Sequence, residues 1–240
     1  MTGVDVKLFF SPQWLIAVFA GCLLSAAQAQ TAYPNRAVRL VVAAAPGGGT
    51  DILGRMMAQR LSDRLGQAFV VENKGGASGV IGADVVAKSA PDGHTLLSAF
   101  SSQILQPHVL KSVPFDNQRD FTPILEAARA PIAIVVNPAL PVQSMKELMA
   151  YAKANPGKVN YGSSGVGSIH HISMESFKAD SGLDFTHIPY KGSGPALTDL
   201  IAGQVHFMID SVSAALPHIQ AGRIRPLAVT SVQRNAALPQ

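Results

Sequence analysis

The sequence contains only one cysteine, Cys22, among 240 residues. The residues after it therefore form no disulfide and offer no thiolate to a metal ion. This pattern is typical of a protein that needs no thiol chemistry and tolerates an oxidising compartment.

Aromatic and charged residues are also few, at 6% and 14% of the chain. The net charge is +4, but the lysines and arginines are scattered singly, and no basic run tracks a phosphate backbone. Hydrophobic residues make up 48%, which is enough for one large core or two small ones. The composition therefore excludes a disordered chain and argues against a nucleic-acid-binding protein.

No hydrophobic run is long enough to cross a bilayer. The longest, residues 14–27, has about 14 residues against the roughly 20 required. Lys7 precedes it and Ala27-Gln28-Ala29 follows, which predicts a signal peptide (residues 1–29), cleavage after Ala29 and export from the cytoplasm. An alternative is a lipoprotein box at residues 19–22, in which case Cys22 is lipidated and the protein is a surface-displayed or adhesion module.

The remaining chain alternates strand and helix patterns, which predicts an α/β fold with mostly parallel sheets. The expected elements include a buried strand at residues 38–44, a helix capped by Thr50, a helix at 103–111, and a helix at 144–154 that Ser144 opens with Glu147 three residues on. Residues 121–136 form a long, nearly uncharged run that is broken at Pro131, which predicts two extended strand-like segments with a crossing between domains near residue 130. The predicted domains are residues 30–129 and 130–231, with 232–240 beginning a return to the first.

Two glycine-rich loops each lead from a predicted strand into a predicted helix. The first glycine-rich loop is residues 45–51 (APGGGTD), and the second is residues 161–168 (YGSSGVGS). The first amides of a helix lack internal acceptors and carry a partial positive charge, so such junctions favour an anion. Neither loop contains lysine or arginine, so amides and hydroxyls would hold the anion.

Other polar residues also follow predicted strands, where ligands of open α/β sheets bind. Ser98 and Ser101 follow one strand, Tyr190 another and Asp210 a third. Together with the two loops they predict a polar cleft.

Enzyme motifs are missing from the sequence. It lacks the Gly-x-Ser-x-Gly elbow, the phosphate-binding P-loop and the dinucleotide-binding glycine motif. His170, His171 and Glu175 make a poor metal set, since adjacent helical histidines point about 100° apart. We expect a protein that is not an enzyme and has no cofactor; the alternative is an exported α/β enzyme that uses His170 or His171 as a base.

The order of these segments resembles the Bug or TctC family, the periplasmic solute receptors of tripartite tricarboxylate transporters, over residues 33–240. The resemblance is carried by Tyr33-Pro34, 46–51 (PGGGTD), 72–79 (ENKGGASG), 91–96 (PDGHTL), 161–168 (YGSSGVGS), His170, 190–192 (YKG) and 227–230 (LAVT).

The resemblance implies a monomeric receptor of two hinged domains (a type II-like periplasmic binding protein) that holds a small carboxylate-bearing metabolite and delivers it to membrane transporter subunits or a sensor. It also implies further chain after residue 240, so that the first domain is expected to lack its last elements. Asp51 is ambiguous, because it can face a ligand amine or pair with Arg55. The residues expected to contact the ligand are Pro46, Gly47, Gly48, Gly49, Thr50, Asp51, Ser98, Ser101, Ser163, Ser164, Gly165, Gly167, Ser168, His170, Tyr190 and Asp210.

Overall fold

The structure is a computed structural model that describes residues 32–238. The predicted signal peptide, its cleavage site and Cys22 lie outside the described residues. The chain divides into a short unit, Met1–Asn35, and one compact unit from Arg36 onward, which contains the strands and helices described below.

Strands and helices alternate along most of this unit. The strands are β1 (Val38–Val42), β2 (Phe69–Asn73), β3 (Thr95–Ser98), β4 (Ile132–Val136), β5 (Asn160–Ser163), β6 (Thr186–Pro189), β7 (Phe207–Ser211) and β8 (Arg225–Val229). The α-helices are α1 (Gly49–Leu65), α2 (Val80–Ala87), α3 (Gln106–Val109), α4 (Met145–Ala154), α5 (Ile169–Ser181), α6 (Ser193–Ile201) and α7 (Val212–Gln220), with short 3-10 turns at Ala77–Gly79 and Ser101–Leu105.

The first three strands form a parallel sheet in the order β2-β1-β3. The central strand β1 is nearly all apolar, and Val38, Val41 and Val42 are fully buried, as expected where helices cover both faces. Phe69 of β2 and Ala58 of α1 pack with β1 in one core cluster. We call this sheet and its helices, residues 36–121, the N-terminal lobe.

The other five strands form a sheet in the order β6-β5-β7-β4-β8. Strand β5 runs parallel to β6 and β7, whereas β4 runs antiparallel to β7 and β8. Two buried clusters cover the sheet, one containing Leu148, Tyr161 and Phe207, the other containing Leu200 and Met208. We call residues 131–230 the C-terminal lobe. The predicted α/β class with mostly parallel sheets and flanking helices is confirmed.

Three local predictions are wrong. Helix α1 begins at Gly49 with Gly48 as its N-cap, so Thr50 lies inside the first turn and does not cap it. The predicted helix at 103–111 is a 3-10 turn followed by the four-residue α3, which ends where Leu110 becomes extended. Residues 122–130 are exposed and form no strand, because no described strand pairs with them. The boundary between domains near residue 130 stays a prediction.

None of the helices within residues 32–238 has the length and hydrophobicity needed to span a bilayer.

Candidate ligand-binding site

The first glycine-rich loop is fixed by the carboxylate of Asp51. Its Oδ2 accepts a hydrogen bond from the Gly47 amide at 3.0 Å and another from Arg55 Nε at 3.1 Å. Its Oδ1 accepts one from Asn73 Nδ2 at 2.8 Å. Burial raises the pKa of Asp51, but the hydrogen bonds from Arg55, Gly47 and Asn73 outweigh it and hold the pKa below its ordinary value.

The same loop presents amides that have no acceptor of their own. Gly48 is extended, with φ −87° and ψ 168°, and no side chain caps the helix that follows. Within residues 32–238, no acceptor bonds the amides of Gly48, Gly49 or Thr50. These groups lie at the positive end of the 17-residue helix α1, so the loop is prepared for an anion.

The first loop faces the C-terminal lobe at very short range. A Cβ placed on Gly48 would fall against the Ser193 hydroxyl, and one placed on Gly49 would fall against the Ser211 hydroxyl. The amide of Ala45 donates to the carbonyl of Lys191 at 3.3 Å. Glycine is needed at these positions because the backbone of one lobe touches hydroxyls of the other.

The second glycine-rich loop uses more of its own donors internally. Ser163 Oγ accepts from the Gly165 amide at 3.1 Å, and the Ser168 hydroxyl caps α5 by accepting from the His171 amide at 3.2 Å. The Gly167 amide donates to His171 Nδ1 at 3.2 Å. This loop therefore has fewer free amides than the sequence suggested, and its conformation is held by hydrogen bonds within the loop and to the first turn of α5.

The second loop faces the N-terminal lobe. The Ser78 hydroxyl donates to the Val166 carbonyl at 2.5 Å, and a Cβ on Gly165 would meet Ser78 Oγ at 2.9 Å. A Cβ on Gly165 would also lie 3.1 Å from the carbonyl of Tyr190. The segment Tyr190-Lys191-Gly192-Ser193 thus contacts both loops, which places them on one shared interface between the lobes.

The other predicted site residues are distributed unevenly. Ser98 lies at the end of β3 near Gly54 of α1, and Ser101 is exposed at the start of a 3-10 turn. Tyr190 turns its hydroxyl to Asp199 at 2.7 Å, and burial followed by that hydrogen bond raises its pKa to about 12. His170 is buried with Nδ1 2.8 Å from Ser164 Oγ, and burial lowers its pKa to about 4. The carbonyl of Tyr190 lies at the interface beside Gly165.

Asp210 is the most deeply buried acid among the described residues near this interface, with 1% exposure. Its Oδ1 accepts from the Ser211 amide at 2.7 Å. Burial raises the pKa of Asp210 to about 7, against the opposing effect of the hydrogen bonds from Ser211 and of the nearby Ser193 hydroxyl. A buried acid with a pKa near neutrality is a candidate functional group.

Three rings stack behind the second loop. His187 lies 4.8 Å from Tyr161 and 4.3 Å from His171, between ring centroids, and its Nε2 is 2.6 Å from Ser163 Oγ. Burial and then the charge of His171 lower the pKa of His187 to about 4. The lowered pKa values of His171 and His187 favour neutral imidazole rings beside the second loop. Within the described residues, no group of three or more His, Cys, Asp or Glu is arranged to hold a metal ion.

A cavity of about 550 Å³ adjoins the first loop. Pro46 and Gly47 line it from the N-terminal lobe, and Tyr190, Pro195 and Asp199 line it from the C-terminal lobe. Its size is within the usual range for small-molecule sites.

Sequence reasoning missed the residues that connect the lobes, namely Ser78, Ser193 and Ser211. Ser78 has a positive φ of 54°, which is unusual for serine and fits a position held by its surroundings. The available signals were the adjacent glycines Gly75 and Gly76, and the Gly192-Ser193-Gly194 triplet, since both mark close backbone approaches.

The two sheets with flanking helices, and polar loops of each lobe meeting at one interface, define an α/β fold of the periplasmic binding protein kind. The family model described as "Tripartite tricarboxylate transporter family receptor", or TctC, matches residues 53–240. The chain belongs to this family of solute-binding receptors, and the predicted resemblance is confirmed.

A named relative agrees with this assignment to the family. The chain is 41% identical to protein BugT of Bordetella pertussis over 209 residues, which are 86% of this chain and 64% of BugT. The chain therefore spans slightly less than two thirds of the length of that relative.

Solved structures of similar proteins share the fold. A periplasmic transporter is 44% identical with a TM-score of 0.83, covering 85% of this chain and 69% of that one. Rpa4515 of R. palustris with adipate is 42% identical with a TM-score of 0.78, covering 84% and 68%. MatC from Rhodopseudomonas palustris with bound malate is 29% identical with a TM-score of 0.79, covering 86% and 71%.

Proposed function

We propose that this protein is a periplasmic receptor that captures a small carboxylate-bearing metabolite between its two lobes and delivers it to a tripartite tricarboxylate-type transporter or a sensor. The unpaired amides of Gly48, Gly49 and Thr50 at the start of α1 are the observation that carries the proposal. The backbone of Gly48 and Gly49, which carries two of these amides, lies against the side chains of Ser193 and Ser211 across the interface. The relatives with adipate and malate support this ligand class.

The two loops take different parts in this proposal. The first loop supplies free amide donors, and Asp51 positions it through Gly47 while pairing with Arg55. In the second loop, Ser163 and Ser168 accept hydrogen bonds from backbone amides and Ser164 bonds the His170 ring, so the loop is held in one conformation. Asp51 and His170 are thus positioning residues, because the Asp51 carboxylate and His170 Nδ1 are engaged within their own lobes.

The energies are sufficient for capture of an acid. Hydrogen bonds to a charged group contribute about 1.5–3 kcal/mol each. Association costs about 4–15 kcal/mol. Four to six donors therefore support a micromolar complex, which needs about −8 kcal/mol.

Titration calorimetry and thermal shift with matched probe pairs test the proposal. Adipate and malate carry carboxylates, and their diamides have the same carbon skeletons without charge. We expect at least one acid to bind and to stabilise the folded protein by about 2.7 kcal/mol at a hundredfold excess over Kd, which raises Tm. The corresponding diamide should bind at least tenfold more weakly.

A protein that binds neither acid, or binds acid and diamide equally, contradicts the anion-binding proposal. Turnover of either acid, lost in His170→Ala or His171→Ala, favours the alternative of an exported enzyme instead.

A further inference from the structure

We infer that Asp210 contacts the bound acid and takes up one proton when the acid binds, so that the receptor captures a carboxylate together with a proton. The inference rests on the proposed function, because it requires an acid at the interface between the loops. It assigns to Asp210 a hydrogen bond from its protonated carboxyl to an oxygen of the ligand.

The carboxyl of Asp210 is only half satisfied by the protein. Oδ1 accepts from the Ser211 amide at 2.7 Å and lies 3.5 Å from the Ser211 hydroxyl. Within residues 32–238, no hydrogen bond of normal geometry reaches Oδ2, although the Ser193 hydroxyl lies close enough to favour the ionised form. A buried polar oxygen without a partner is costly, so one that persists in a binding interface indicates a partner supplied from outside.

The position of Asp210 connects this oxygen to the anion-binding amides. Asp210 precedes Ser211 at the end of β7, and Ser193 begins α6. The hydroxyls of these two serines flank the carboxyl, and they are the groups that Gly49 and Gly48 face. The carboxyl therefore lies immediately behind the hydroxyls that meet the free end of α1.

Among residues 32–238, no neighbouring cation stabilises the ionised form of Asp210. The shift of its pKa arises from burial and hydrogen bonds, with no contribution from another charge among the described residues. Strand β4, which pairs with β7, carries no ionisable group. The ionisable groups of the other adjacent elements are paired elsewhere or contribute no charge effect. They are Asp51 with Arg55 on α1, Tyr161 of β5 with Glu175, Asp199 of α6 with Tyr190, His218 on α7 near Arg223, and, on α5, His170 with Ser164, His171 with Gly167 and Lys178 with Glu175.

An acid bound at this interface brings a second negative charge close to Asp210. Burial already raises the pKa of Asp210 to about 7, and a like charge raises it further. Two carboxylates in a buried site share a proton more easily than they remain both ionised. The proton comes from solvent, resides on Oδ2 and is donated in a hydrogen bond to the ligand carboxylate.

Titration calorimetry of the full chain with adipate and malate, in buffers of different ionisation enthalpy, measures the proton directly. At pH 8 we expect uptake approaching one proton per ligand bound. Between pH 7 and 9 we expect Kd to rise toward tenfold per pH unit, although both probes are fully ionised throughout. Asp210→Asn keeps a donor without a titratable proton, so it should bind with no uptake and with a Kd independent of pH.

Asp63→Asn is the matched control, since Asp63 is exposed on α1 and should leave the proton uptake unchanged. Binding by the wild type without uptake, with a Kd constant from pH 6 to 9, overturns the inference while the proposed function stands. Absence of carboxylate binding at every pH overturns both. Should Asp210→Asn fail to fold, the ¹³C carboxyl shift of wild-type Asp210 replaces it: an ionised carboxyl in the complex at pH 8 overturns the inference.

Discussion

Asp51 and Asp210 are both buried, yet their surroundings shift their pKa values in opposite directions. The Asp51 carboxylate accepts from Gly47, Arg55 and Asn73, and these donors favour the charged form. Asp210 receives fewer donors and no cation, so burial dominates. The same residue type therefore braces the first loop in one place and remains available to a ligand in the other.

Asp51→Ala should lower the free energy of unfolding by roughly 2–3 kcal/mol, because it leaves the Gly47 amide without its acceptor and the Asn73 amide group with only the Ala44 carbonyl. Asp63→Ala on the exposed face of the same helix should change it by less than about 0.5 kcal/mol. Urea denaturation at pH 7 measures both. Since the pKa of Asp51 is lowered on folding, its ionic contribution is present above pH 4 and is lost as pH falls through the folded value. Equal effects of the two substitutions contradict the bracing role.

Asp210→Asn should stabilise the ligand-free protein at pH 8 and have a smaller effect at pH 4. The folded pKa is raised from 3.8 to about 7, so the folded state binds the proton more tightly and wild-type stability falls as pH rises through this window. Because asparagine does not ionise, the Asp210→Asn protein should not lose stability in this way as pH rises. Tm values of both proteins across pH 4–8 measure the difference, and parallel curves contradict the raised pKa.

Among the elements, the start of α1 combines free amides with glycines that permit close contact. Gly49 has no positive φ, so Gly49→Ala adds no backbone strain and increases helix propensity by about 0.5–1 kcal/mol. Its methyl group would nevertheless collide with the Ser211 hydroxyl of the opposite lobe. We therefore expect a folded protein with at least tenfold weaker binding of adipate or malate by calorimetry.

The second-site change Ser211→Gly removes the atoms that this methyl group would meet, and it should restore part of the lost affinity in the Gly49→Ala background. A Gly49→Ala protein that binds as tightly as the wild type would show that the two lobes need not approach this closely.

The stacked rings behind the second loop predict sensitivity to acid. Burial, followed by the charge of His171, lowers the pKa of His187 to about 4, so its contribution to stability is full above about pH 6.5 and is lost as pH falls toward 4. His187→Gln retains a polar group that can hydrogen-bond Ser163 and should reduce the fall in Tm between pH 7 and 4.5. His108→Gln, at an exposed position on α3, should leave the fall unchanged. An equal fall in all three proteins contradicts this role.

At the scale of the whole molecule, the two lobes meet through polar contacts. The Ser78 hydroxyl donates to the Val166 carbonyl, and the Ala45 amide donates to the Lys191 carbonyl. Neutral hydrogen bonds of this kind contribute about 0.5–1.5 kcal/mol each. Because each of these contacts is weak, removing one of them should change the affinity for a ligand bound as proposed only modestly.

Ser78→Ala should weaken the binding of adipate or malate about two- to tenfold, because it removes one contact between the lobes. Ser89→Ala is the control, since the Ser89 hydroxyl donates only to Val85 within the N-terminal lobe. Calorimetry compares the two. Equal affinity in Ser78→Ala and the wild type contradicts a role for this contact in binding.

The sequence alone predicted the α/β class, because alternating apolar strands and amphipathic helices are local patterns that burial enforces. The N-cap at Ser144 and the helix that follows it are an example, since the cap and its partner Glu147 are three residues apart. The sequence-based prediction failed at Thr50. The N-cap of α1 is Gly48, two residues earlier, because Gly48 takes the extended conformation of a cap and the Asp51 carboxylate accepts from the Gly47 amide. The prediction also failed at residues 122–130, because a strand requires a neighbour that no local pattern specifies.

The sequence by itself determined the two glycine-rich loops and their place between strand and helix. Only the tertiary structure decided which donors remain free and which groups of the other lobe face them. Ser78, Ser193 and Ser211 are ordinary serines in the sequence, and Asp210 is an ordinary acid at the end of a strand. Their roles arise from contacts between residues far apart in the chain, and burial at those contacts sets the charge state of Asp210.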